Sequence, residues 1–71
     1  KLRGLVVEKN SRDWLIELEG RPGSYTKVVF RFRHEKLSDF SAGDIIEVIG
    51  ILRQRNKDFK IYPRSINDLR F

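Results

Sequence analysis

The sequence predicts an all-β fold: a barrel of five strands with one short helical turn between the third and the fourth. Three observations carry this expectation. Apolar and polar residues alternate at the period of a strand in several short runs. Polar clusters and Pro-Gly or Ala-Gly pairs separate those runs. Residues 34–40 break the alternation, with Leu37 and Phe40 three apart as on one face of a helical turn.

Residues 2–8 (L-R-G-L-V-V-E) supply the first strand, and Gly4 inside it marks a bulge or a close backbone approach. Residues 9–13 are a polar turn. Residues 14–19 alternate again, with Trp14, Ile16 and Leu18 on one side and Leu15, Glu17 and Glu19 on the other, so the first two strands form a hairpin. Residues 20–24 (G-R-P-G-S) are the strongest turn signal. Pro22 and Gly23 suit the central positions of a type II turn, because Pro fixes φ and Gly accepts φ > 0. Residues 25–33 form the third strand. Within it, T-K-V-V-F-R-F-R sets Val28, Phe30 and Phe32 on one face and Lys27, Val29, Arg31 and Arg33 on the other. After the helical turn, residues 41–44 (S-A-G-D) make a tight turn. Residues 45–53 are an almost continuous apolar run, the fourth and most buried strand, with Gly50 at a bend. Residues 54–58 form a loop, and residues 59–62 the fifth strand, ended by Pro63. Ile66 and Leu69 of the tail pack against the barrel. Five strands, a helical turn before the fourth and two bend glycines are the OB-fold pattern. An SH3-like barrel also has five strands but usually places its helical turn before the last one.

The length of 71 residues bounds the chain to one domain, residues 1–71, which buries only about 60 % of its unfolded surface. There is no cysteine, so no disulfide or thiolate site can staple it and the apolar core must suffice. Absent cysteine fits a reducing, cytoplasmic setting. No run is long and apolar enough for a membrane span and no signal-peptide pattern opens the chain, so no membrane contact is expected. Lys1 reads as mid-strand and no initiator Met precedes it, which leads to the expectation of a domain excised from a larger protein, whose other domains would be partners. Lys and Arg outnumber Asp and Glu by 15 to 10, a net charge of +5 that favours an anionic partner such as nucleic acid, although such a charge also serves solubility alone.

L-R-G-L-V-V-E at residues 2–8, S-A-G-D-I-I-E-V-I-G-I-L at residues 41–52 and F-K-I-Y-P-R-S-I-N-D-L at residues 59–69 resemble OB-fold nucleic-acid-binding domains, over nearly the whole chain. The nearest types are anticodon-binding-like domains and the single-strand-binding accessory domains of nucleases and other DNA-handling proteins. The most specific piece is x-x-G-D-x-[IV]-x-V-x-G, matched by residues 42–50, and the ending I-N-D-L-R-F is similar to the end of the OB domain in DHH-type single-strand exonucleases. The resemblance implies a module that binds single strands while catalytic residues lie in other domains. It identifies the fold better than the ligand.

The residues themselves offer little for catalysis. His34 is the lone histidine, and Ser38 and Ser41 beside it lie in a turn with no third orienting group. Glu17 and Glu19 share a face but are better placed to pair with Lys27, Arg31 or Arg33 across strands. No metal-ligand spacing occurs and no cofactor is expected. The expectation is a non-enzyme.

A single-strand site needs cations along the phosphates and flat side chains for the bases. The cations fall in three clusters: Lys27, Arg31 and Arg33 on the third strand; Arg53, Arg55, Lys57 and Lys60 around the loop between strands four and five; Lys9 and Arg12 in the first loop. OB-folds hold ligands across strands two and three, between those two loops. Tyr62, sharing a face with Lys60 and Arg64, is the leading stacking residue, followed by Trp14, which alternation also assigns to the core, and Tyr25. Phe30, Phe32, Phe40 and Phe59 are expected in the core. The expected function is binding of single-stranded DNA or RNA, DNA favoured by resemblance alone, with low sequence specificity and a footprint of about 4–6 nucleotides. The alternative is a protein–protein docking module, for which an apolar patch on Leu15, Val29 and Ile49 would speak; an anionic oligosaccharide also fits the cations.

Overall fold

Alternation becomes a ladder only where a neighbouring strand accepts it. In the computed structural model, which describes residues 1–71, seven stretches find such a neighbour: β1 (Leu2–Lys9), β2 (Asp13–Leu18), β3 (Tyr25–Val29), β4 (Ile45–Val48), β5 (Ile51–Arg55), β6 (Asp58–Tyr62) and β7 (Leu69–Arg70). They form one sheet in the order β5-β6-β3-β2-β1-β4-β7. The only other elements are two 3-10 turns, Glu35–Asp39 and Ile66–Asp68. The fold is all-β, and no helix is long and apolar enough to cross a membrane.

β1, β2 and β3 form the expected antiparallel meander. At the turn into β3 the Ser24 N–H donates to the Arg21 carbonyl at 3.0 Å, across Pro22 and a Gly23 with φ 83°. That is the positive φ a type II turn requires. The chain then leaves the meander, makes its 3-10 turn at Glu35–Asp39 and returns, so that β6 lies parallel to β3 through Lys27↔Lys60 and Val28↔Ile61.

Three boundaries depart from the alternation. The third strand ends at Val29 and not at Arg33: its pairing with β6 stops at Val28↔Ile61 and its ladder with β2 at Asp13↔Val29, followed by one last bond from the Phe30 N–H to the Arg12 carbonyl at 3.0 Å. Arg31 and Arg33 therefore lie beyond the strand. The fourth strand divides in two: β4 pairs with β1 and β5 with β6. Ile49 and Gly50 lie between them, and a Cβ on Gly50 would stand 2.4 Å from the Tyr62 carbonyl oxygen, so the chain bends where only a glycine fits. The tail adds β7, which pairs Leu69 with Val48. Gly4 follows the same logic as Gly50, since its Cβ would meet the Glu17 carbonyl at 2.4 Å; the bulge in β1 falls later, between Val6 and Glu8.

The core comprises Val6, Trp14, Ile16, Val28, Phe40, Ile46, Val48, Ile61 and Leu69. It holds inward-facing residues of β1 to β4, β6 and β7. Phe40, from the end of the 3-10 turn, closes one end against Trp14 at 5.6 Å between ring centres. Phe30 also packs on Trp14, at 4.6 Å, and is partly buried. β5 is exposed along its whole length, with Leu52 half exposed. Phe59, expected in the core, is 39 % exposed, because β5 and β6 project past the strands that would have covered them.

Candidate nucleic-acid interface

Strand register decides which side chains meet. Lys27 of β3 stands beside Lys60 of β6, and Lys60 beside Arg53 of β5. Direct partners across a ladder share a face, so Lys27, Lys60 and Arg53 form a cationic row over three strands, opposite the face that buries Val28 and Ile61. Leu15 of β2 continues the row next to Lys27. By the same alternation Tyr25 and Val29 of β3, Tyr62 of β6 and Arg55 of β5 lie on this outer face. Tyr25 is 47 % exposed.

Three shallow depressions run along it. One holds Lys27, Lys57, Asp58 and Lys60 beside Leu15, Tyr25 and Phe59. A second holds Arg53, Arg55, Asp58 and Lys60 beside Tyr62, so Asp58 and Lys60 join the two. The third holds Arg12, Arg31, Arg33 and His34 around Phe30 and Phe32. The Arg31 guanidinium lies over the Tyr62 ring, 4.5 Å from its centre, and links the third depression to the second. Arg12, Lys27, Arg31, Arg33, Arg53, Arg55, Lys57, Lys60 and Tyr62 therefore come together along one continuous surface.

The two glutamates expected to neutralise it are engaged elsewhere, while Asp58, opposite Arg55, lies among its cations without forming an ion pair. Glu17 accepts the Gly23 N–H at 3.1 Å, and Glu19 pairs with Arg3 at 2.9 Å. The other two ion pairs are Lys1 with Glu47 and Arg64 with Asp68. No carboxylate lies within ion-pair distance of any cation on the outer face. The predicted cross-strand pairing of Glu17 and Glu19 with Lys27, Arg31 or Arg33 does not form, because Leu15 and not a glutamate stands opposite Lys27.

Two predicted contacts are corrected. Trp14 is 2 % exposed and packed between Phe30 and Phe40, so neither ring face is open to a base. Lys9 is drawn off the surface: its Nζ donates to the carbonyls of Leu37 at 3.0 Å and Phe40 at 2.6 Å and lies 5.2 Å over the Trp14 ring. Tyr62 is on the expected face, yet Arg31 covers its ring, an arrangement with no signature in the sequence because the two residues are distant in the chain. His34 caps the 3-10 turn, its Nδ1 accepting from the Lys36 N–H at 3.1 Å. No protein-family model matches the chain, and comparison with curated proteins and with solved structures likewise returns no match.

Proposed function

We propose that this domain is an OB-fold barrel that binds single-stranded nucleic acid with low sequence specificity, as a non-catalytic accessory module of a larger, cytoplasmic DNA- or RNA-handling protein. The barrel reading rests on two relations. β3 and β6 are parallel, and the β4–β5 segment, bent at Gly50, pairs with β1 at one end and with β6 at the other. With β4 and β5 counted as one bent strand and the two-residue β7 as an addition at the edge, five strands remain, the number in an OB-fold, whose ligand face is the outer surface of its second and third strands.

The observation that carries the function is the row Lys27–Lys60–Arg53, which makes no ion pair and is flanked by the exposed ring of Tyr25. Cations follow the phosphates and flat rings receive bases. Titration of a fluorescent oligo-dT at low salt tests it. Binding at tens of micromolar protein or tighter is expected, with at least tenfold loss in a Lys27→Glu, Lys60→Glu double variant. No binding by the unaltered domain would overturn the reading.

A docking role is favoured by a different observation: Leu52, Phe59 and Tyr25 line a cleft with Leu2 and Leu18 between the β5–β6 hairpin and the β2–β3 turn. A partner held there would be indifferent to the double charge reversal, so the same variant separates the two readings.

A further inference from the structure

Tyr62 cannot offer the face that Arg31 already covers. Phe30 and Phe32 on either side of it are partly buried, meet edge to face at 5.7 Å and line the same depression as Arg31. The Arg31 side chain has no carboxylate within ion-pair distance and is exposed to solvent. The pair it makes with Tyr62 stands as a ridge between two depressions, one carrying Arg12 and Arg33, the other Arg53, Arg55 and Lys60.

We infer that Arg31 is a stacking platform for an unpaired base and not a phosphate contact, with Tyr62 supporting it from below, while the cations of the two depressions hold the phosphates on either side. The inference rests on the nucleic-acid reading above and names the ligand more narrowly: a single strand lying with at least one base turned toward the protein. A guanidinium is planar and weakly hydrated, so it stacks on a ring with one face and on a base with the other, whereas an ammonium has no plane to offer. A duplex, whose bases are already stacked, and a strand without bases would both lose this contact.

Arg31→Lys separates the roles because it keeps the charge and removes the plane. Affinities are measured by fluorescence anisotropy for oligo-dT and for an abasic oligonucleotide of equal length. The unaltered domain should bind oligo-dT about tenfold tighter than the abasic strand, the lower part of the range for one stacked base. Arg31→Lys should remove most of that difference, weaken oligo-dT binding by a similar factor and leave abasic binding and the salt slope as they were. Tyr62→Leu should behave the same way, its folding checked by the thermal transition. Equal binding of the two strands by the unaltered domain would overturn the inference while leaving the nucleic-acid reading standing. So would an Arg31→Lys variant that keeps the full preference. Failure of the unaltered domain to bind either strand would overturn both.

Discussion

Lys9 and Lys27 are both lysines beside the β1–β2–β3 meander, and the sequence treats them alike. Their surroundings do not. Lys9 satisfies the Leu37 and Phe40 carbonyls at the end of the 3-10 turn and covers Trp14, whereas Lys27 stands between Leu15 and Lys60 and makes no side-chain hydrogen bond or ion pair. A hydrogen bond from a charged donor contributes about 1.5–3 kcal/mol, and an acceptor left without its partner costs a comparable amount. Lys9→Ala should therefore destabilise the domain by about 2 kcal/mol in denaturant unfolding and leave oligo-dT affinity nearly unchanged. Lys27→Ala should do the reverse. The placement of Trp14 was legible from alternation, since Trp14, Ile16 and Leu18 share a phase. The role of Lys9 was not, because its partners lie 28 and 31 residues away. Nor was the pairing of Arg31 with Tyr62, for the same reason.

At the level of elements, the turns were the most legible parts, because each depends on a few adjacent residues. Pro22-Gly23 and Ala42-Gly43 both stand where the chain reverses, the second fastened when the Ser41 N–H donates to the Asp44 carboxylate at 2.8 Å. Strand ends were less legible. The pattern over residues 26–33 keeps its two faces to the end, but a strand stops where its pairing does, at Val28↔Ile61 with β6 and at Asp13↔Val29 with β2. The apolar run over residues 45–53 likewise hid two strands with different partners and opposite exposure, Ile46 and Val48 buried and all of β5 open. Gly50 makes that division. Its missing side chain lets the backbone lie against Tyr62 and Pro63, where a Cβ would come within 2.8 Å of three backbone atoms that cannot rotate away. Gly50→Ala should force the β5–β6 hairpin outward at a cost of about 1–3 kcal/mol. For a domain of this size each kcal/mol lowers Tm by about 4–8 °C. A calorimetric Tm within 2 °C of the parent's, a margin of about half of one such step, would show that the bend does not depend on the glycine.

For the whole molecule, the legible quantity was the distribution of charge. A net +5 says little by itself, but Arg12, Lys27, Arg31, Arg33, Arg53, Arg55, Lys57 and Lys60 converge on one face once the strands are paired, and none of the three ion pairs draws on them. The convergence depends on the parallel pairing of β3 with β6, a contact between residues more than thirty apart that no local pattern encodes. It also fixes an expected salt dependence. If Arg31 holds a base, seven cations of this face remain for phosphates, and single-strand binding changes by about −0.7 in log K per log unit of salt for each phosphate neutralised. The slope should therefore be no steeper than about −5. A short oligonucleotide that reaches only the row Lys27, Lys60 and Arg53 should give about −2. Reversing Lys27 and Lys60 should flatten the slope by at least 1.4 units, twice the single-phosphate value, whereas Arg31→Lys should leave it in place. Measuring log K for oligo-dT against log salt in the parent and the two variants checks all of this at once. A slope insensitive to the reversal of Lys27 and Lys60 would mean that the strand runs elsewhere on the domain, whatever its affinity.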